Sequence, residues 1–283
     1  MAHGHDITLK APVTESLLFK IENYLISALI ENNPKFYAIN KIAETDSSQL
    51  PNAWAVGTGI PCGVDSLHVL SEHSISRYKS LNVTHLAFNN VGSHGCGERA
   101  RELYESRLVK PEQFALEYGF EFVASDSNLV DVIDQSHFKT HTYSSMFSVL
   151  CLQKLYSVYF YASSGYKFSE FNLDDKPQSN CGSYDLLSLN VFSTPQTCIY
   201  SGGMGLSRMD KLKRVTEYEP SYKYLNVCLK EYGNCGKCEK CIRTLLGLDA
   251  LGILDSYKEV FDIDDYLKHK KMVFTKIVIS YKG

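Results

Sequence analysis

The spacing of hydrophobic and polar positions changes several times along the chain, and the changes divide it. Residues 1–52 mix short strand-like pieces with one stretch of helical period. In SLLFKIENYLISALIE, Leu17, Leu18, Ile21, Leu25, Ala28 and Leu29 fall on one face. Asp46–Asn52 (DSSQLPN) reads as a loop, so 1–52 is expected to be a small N-terminal appendage. From Ala53 onward, short apolar runs alternate with amphipathic stretches. Ala53–Gly59, Val83–Phe88, Phe120–Ala124, Ser157–Ser163 and Thr197–Gly202 predict five strands. Helices are predicted over Asp65–Ser76, Glu98–Tyr118, Ser144–Leu155 and Arg208–Tyr218, with Pro111 breaking the second or starting another. Such alternation argues for an α/β domain over 53–220, a parallel sheet with helices on both faces. Lys167–Thr194 reads as loop-rich, a flap over the site. Residues 221–283 form a third segment.

Composition narrows this picture little. The 283 residues are 44% hydrophobic and 22% charged, as in ordinary globular proteins. A net charge of −3 creates no basic field, so nucleic acid is not an expected partner. No run of about 18 apolar residues predicts a membrane span, and MAHGHDITLKAP lacks the order of a signal peptide. Nine cysteines without a disulfide-like framework fit a reducing cytoplasm, the expected location.

Four of those cysteines carry chemistry. Cys228, Cys235, Cys238 and Cys241 lie in VCLKEYGNCGKCEKCIR, the last three as C-x2-C-x2-C. Two-residue gaps let neighbouring thiolates converge on one ion, and four thiolates leave no open coordination position. The spacing predicts a structural metal, zinc in preference to an iron–sulfur cluster. Cys62, Cys96, Cys151, Cys181 and Cys198 are scattered.

The stretch GIPCGVDSLHVL follows the first predicted strand and opens a helix, where parallel sheets place ligands. Gly63 permits close backbone approach. The N–H groups of Val64, Asp65, Ser66 and Leu67 and the helix dipole favour an anion, and the Ser66 hydroxyl can donate to a phosphate. A plain capping role for Asp65 or Ser66 fits the same residues. Cys62 at a helix start has either a lowered pKa or no role beyond its size.

Further candidates follow the other strands. In FNNVGSHGCGERAR, Asn89, Asn90, Ser93 and His94 are placed to meet a base or ribose, and Arg99 and Arg101 begin a helix. Cys96, between two glycines, is either a sulfur relay or a plain loop residue. In SGGMGLSRMDK, Ser207 is the expected N-cap, and Arg208 and Lys211 lie one turn apart, facing phosphate or solvent. His137 and His141 have i, i+4 spacing, but KTHTYSS reads as loop, so they are expected to be polar loop residues or substrate contacts. Asp174 and Asp175 sit in the expected flap.

GVDS after a buried strand resembles the SGGxDS signature of the PP-loop ATP pyrophosphatases. The cysteine spacing resembles the C-terminal zinc site of one branch, the 7-cyano-7-deazaguanine synthases. The resemblance covers roughly residues 53–250. It implies a Rossmann-like, HUP-type sheet, with ATP held at Cys62, Gly63, Val64, Asp65 and Ser66 and near Asn89 and Ser93. It implies catalytic roles for Asp65, Ser66, Arg208 and Lys211, and Mg²⁺ accompanying ATP, with Asp65 its candidate ligand. Arg243 matches a basic residue that follows the cage in the family. The expected activity is adenylation of a carboxylate or carbonyl oxygen, release of pyrophosphate, then attack by ammonia or a sulfur donor; a homodimer is also implied. One departure stands out. The first two signature positions are Pro61 and Cys62, and proline offers neither hydroxyl nor N–H. Two other readings stand beside the ligase: a zinc-stabilised nucleotide-binding module without turnover, and a thiolating enzyme with a cysteine relay.

Overall fold

The computed structural model describes residues 1, 3–133, 136–162, 166–174, 176, 180–228, 230 and 232–270. Five strands form one parallel sheet: β1 (Ala55–Gly59), β2 (His85–Asn90), β3 (Glu121–Asp126), β4 (Tyr156–Ala162) and β5 (Cys198–Gly202), in spatial order β3-β2-β1-β4-β5. The chain winds outward from β1 to one edge, then returns to its other side, so the order reverses between β1 and β4. A crevice opens at such a reversal, beyond the carboxyl ends of the strands.

Neighbouring strand residues enter different cores, because successive side chains leave a strand on opposite faces. Val56, Leu86 and Phe160 join one core; Ala55, Ala87 and Tyr159 join the other. The first core is covered by α1 (Val64–His73), α2 (Glu98–Tyr118) and, beyond β5, α5 (Arg208–Val215). The second is covered by α3 (His137–Cys151) and α4 (Asp185–Phe192). Both faces of the sheet are thus apolar, which is why its strands read as unbroken apolar runs. At Gly57 a Cβ would lie 2.4 Å from Cε1 of Tyr156, so β1 and β4 can approach only over a glycine.

Residues 1–52 pack against the second core. Their helical stretch comprises Glu15–Lys20, a π-helical turn at Ile21–Ile26 and Ser27–Asn32. Of the predicted stripe, Leu25 and Leu29 are buried among Met146, Leu189 and Phe192. Two short parallel pairings, Ile7–Thr8 with Lys41–Ile42 and Val13–Thr14 with Thr45–Asp46, close this region.

Three sequence expectations are corrected. Pro111 neither breaks nor restarts a helix: α2 runs through it, and Pro111 is buried. KTHTYSS is not a loop but the first half of α3. The expected flap Lys167–Thr194 contains α4, whose Leu189, Val191 and Phe192 are core residues. Asp174 is bonded locally to Lys176, and Asp175 lies outside the described residues. No helix among the described residues is long and apolar enough to cross a membrane.

Candidate functional site

The crevice between β1 and β4 is a cavity of about 600 Å³. Its floor is the loop from β1 to α1. There Cys62 takes φ +58°, an uncommon conformation for a residue other than glycine, and its carbonyl accepts from the Asn226 N–H at 2.8 Å. That bond ties the loop to the segment leading into the cysteine cluster. Gly63 is the N-cap of α1, and no side chain caps the helix. The first-turn amides at Val64, Asp65 and Ser66 therefore keep their donor capacity and the positive end of the dipole. Leu67 differs from expectation: its N–H is bonded to the Gly63 carbonyl at 3.0 Å.

Pro61, Gly63, Val64, Asp65 and Ser66 line the cavity. Cys62 does not. It is fully buried, and burial pushes its thiol up to about 12, so the lowered-pKa reading of this cysteine is overturned. The Ser66 hydroxyl donates to the Gly63 carbonyl at 3.0 Å and stiffens the turn. Asp65 is not a cap. Its Oδ2 accepts from Arg208 at 2.6 Å and its Oδ1 from Lys211 at 3.2 Å. The two cations reach it together because they sit one turn apart on α5. Ser207 caps that helix in a reciprocal capping box with Asp210. Burial lowers the Lys211 and Arg208 pKa values, and the Asp65 carboxylate opposes the shift in each. With both oxygens facing cations, Asp65 does not fit its expected role as a Mg²⁺ ligand. Arg208 lines the cavity, whereas Lys211 lies behind it with its side chain fully covered.

The opposite wall is polar, with no carboxylate, lysine or arginine among its described residues. It carries His94, His137, His141, Ser145, Tyr161 and Asn180. His137 and His141 stand one helical turn apart on α3, but the only set of close metal-ligating side chains among the described residues lies elsewhere. Asn180 Oδ1 accepts from His141 Nε2 at 2.7 Å and from the Gly182 N–H at 2.8 Å. An amide oxygen only accepts, so Nε2 carries the hydrogen and Nδ1 accepts from the Tyr161 hydroxyl at 2.8 Å. Behind this pair Thr142 donates to Asp185 at 2.6 Å. Burial raises Asp185 to about 6. Burial first, then Arg107 and His137, hold His94 down to about 4, so His94 is uncharged at neutral pH, and burial lowers His137 as well.

Asn89 and Ser93 also line the cavity, and Asn89 accepts from Ser125 at 2.7 Å. Asn90 turns away to Asp126, as does Arg101, which pairs with it at 3.4 Å. Cys96 is exposed and lines a separate groove with Asp126 and Asp131.

The cluster at Cys228, Cys235, Cys238 and Cys241 borders the cavity, and all four sulfurs lie within 4.8 Å of one another. Cys235–Cys241 and Cys228–Cys238 separations are 4.0 and 3.9 Å. A zinc tetrathiolate with 2.3 Å bonds has edges of about 3.8 Å, so the four residues can hold one such ion. Backbone N–H groups of Lys230 and Cys238 point at the sulfurs of Cys228 and Cys235. Asn234 accepts from the Val227 N–H and donates to the carbonyls of Leu225 and Val260, which fixes the loop. Cys238 caps α6 (Glu239–Ala250), and Gly247 lets α6 press on α5, since a Cβ there would lie 2.4 Å from Leu212. The cage thereby braces the helix that carries Arg208.

Arg107, Lys110, Lys240, Tyr161, Asn180 and Asn226 line the cavity but escaped sequence reasoning. The three-residue spacing of Arg107 and Lys110 was the one available signal, and it looks like any solvated helix face. No model of a known protein family matches the chain, and neither does any curated protein.

Proposed function

We propose that the protein is an ATP-dependent ligase of the PP-loop type, built on a HUP-type sheet. The observation that carries this reading is the Asp65–Arg208–Lys211 triad beside an uncapped helix start at the sheet's reversal point. The order β3-β2-β1-β4-β5 and the cysteine cage add support.

In this reading the triphosphate lies along residues 61–66, with Mg²⁺ carried in on its oxygens. First-turn amides of α1 hold the pyrophosphate, and Arg208 neutralises charge as the α-phosphate is attacked. Asp65 fixes the Arg208 guanidinium, and Lys211 holds the other Asp65 oxygen from behind. Ser66 keeps the turn rigid. The base and ribose meet Asn89 and Ser93. A substrate carboxylate or carbonyl oxygen attacks the α-phosphorus, the bond to pyrophosphate breaks, and an adenylate forms. A nitrogen nucleophile then displaces AMP. Positioning and charge neutralisation supply the catalysis, and no protein nucleophile is needed. The four cysteines hold a structural zinc.

Nitrogen is favoured over sulfur by the cysteines themselves. Cys62 and Cys181 are buried with raised pKa values, and Cys96 faces the separate groove. The bare nucleotide-binding module has one observation in its favour, Pro61 at the floor of the loop.

Incubation with Mg²⁺-ATP and a panel of carboxylic acids tests the proposal. AMP and pyrophosphate should form in equal amounts with one acid and ammonia, and Arg208→Met should abolish both. ATP binding with no pyrophosphate across the panel would favour the module. An Ala variant of Cys96 that lost activity would restore the sulfur reading.

A further inference from the structure

The loop at residues 61–66 has fewer phosphate donors than its position calls for, and the cavity around it has more cations than the triad uses. Pro61 has no N–H or hydroxyl, and the Cys62 side chain is buried away from the cavity. Facing this loop are three further basic residues. Arg107 and Lys110 come from α2, and Lys240 comes from the first turn of α6. Asp65 is the only carboxylate among the described lining residues, and it is held between Arg208 and Lys211.

Arg107 is tied to the cage, and the two lysines lie close to the loop and the triad. Arg107 Nη2 donates to the Cys228 carbonyl at 3.4 Å, while its Nε is buried without a partner. Lys110 lies close to the buried Cys62 thiol, and burial lowers its pKa. Lys240 sits between two cage cysteines, near enough to Arg208 and Asp65 to feel both charges. Three half-buried cations, facing a single carboxylate that Arg208 and Lys211 already hold, form a site for oxyanions.

We propose that Arg107, Lys110 and Lys240 complete a polyphosphate site, supplying from α2 and the cage helix the contacts that Pro61 and Cys62 cannot make. This rests on the loop being a phosphate cradle, but not on adenylation. It makes the metal cage part of the anion site. The carbonyl of one ligand cysteine accepts from Arg107, and two others bracket Lys240 in the chain. The ligand class is a chain of phosphate oxyanions, either the tail of a nucleoside triphosphate or a free inorganic polyphosphate.

Calorimetric titration of the zinc-loaded full chain with inorganic tripolyphosphate and with Mg²⁺-ATP tests this. Lys110→Met and Lys240→Met should each weaken tripolyphosphate binding at least about tenfold, the effect of losing one charge-assisted contact. Lys240→Arg should restore most of it, and zinc content should stay at one ion per chain. ATP weakened in parallel identifies the nucleotide tail as the occupant; tripolyphosphate weakened alone identifies free polyphosphate. Parent-like affinity for both ligands in both Met variants overturns the inference and leaves the ligase proposal standing. Failure of the parent to bind either ligand overturns both. Tight tripolyphosphate binding with no AMP formation overturns the ligase alone.

Discussion

The two walls of the cavity are built on opposite electrostatic terms. Around the loop, Arg107, Lys110, Arg208 and Lys240 converge from three helices with one carboxylate among them. Across from it, His94, His141, Tyr161 and Asn180 present polar groups with no carboxylate, lysine or arginine among them. The basic wall is assembled from residues more than a hundred positions apart, with the cage as its brace. The polar wall rests largely on one helix and one strand, and burial, then Arg107, keeps its His94 from protonating. On the proposed reading, the cavity grades from a place for phosphate oxygens to a place for an uncharged polar group. An adenylating enzyme needs that division, since the leaving group is a polyanion and the attacking amine must be neutral.

Removing the metal should have the largest effect, and it should fall on the basic wall. Cys241 is fully buried and α6 begins at Cys238, so chelation or Cys241→Ser releases Lys240, the Cys228 loop and the brace on α5 together. Structural zinc is worth many kcal/mol in small sites. A loss on the order of 5 kcal/mol would lower the melting temperature by about 10 °C or more. Calorimetry with metal analysis checks this. A metal-free chain that melts like the parent and binds tripolyphosphate equally well would separate the cage from the wall.

The same contrast explains what the sequence disclosed. The five strands and the cage were legible because each is a local pattern, an apolar run or a cysteine spacing. Asp65, Arg208 and Lys211 were legible through a motif and a one-turn spacing, although only the fold shows that they bind one another. The first half of α3 was missed because its polar residues, His137, His141 and Ser145, face the cavity, so no apolar stripe marks the helix. Helix α4 was missed for the opposite reason: DLLSLNVF is buried so widely that it shows little periodicity. Arg107, Lys110 and Lys240 look in sequence like solvated residues. Their convergence depends on strand order and on where the cage folds back, which no local pattern encodes.

Acid should blur the two walls. His68, behind the basic wall, is buried with neither ring nitrogen bonded. Burial and then Lys211 depress it to about 4 from 6.5. A depressed histidine is neutral in the folded chain while the unfolded chain takes up a proton, so its stabilising contribution is full above pH 6.5 and is lost as pH falls toward 4. His94 acts in the same direction. Asp185 opposes them: its raised value, about 6, means that protonation near pH 5 relieves a buried charge. The difference between parent and His68→Leu isolates one group. Between pH 6.5 and 4.5 the parent should lose on the order of 2 kcal/mol more than the variant, read from urea unfolding at each pH. Parallel pH curves would mean that His68 is not held neutral.

The smallest change tests whether the walls are independent. Tyr161→Phe removes the hydroxyl that donates to His141 Nδ1 and leaves that nitrogen only the longer contact to Thr142, at 3.3 Å. The ring stays, so the cost should be that of one hydrogen bond, about 1 kcal/mol. Nothing on the basic wall touches this hydroxyl, so tripolyphosphate affinity should stay within about twofold of the parent, below the effect of one lost charge contact. Phosphate affinity that fell as far in Tyr161→Phe as in Lys240→Met would show that one ligand group spans both walls. The cavity would then be a single anion site, with its histidines serving as reserve cations.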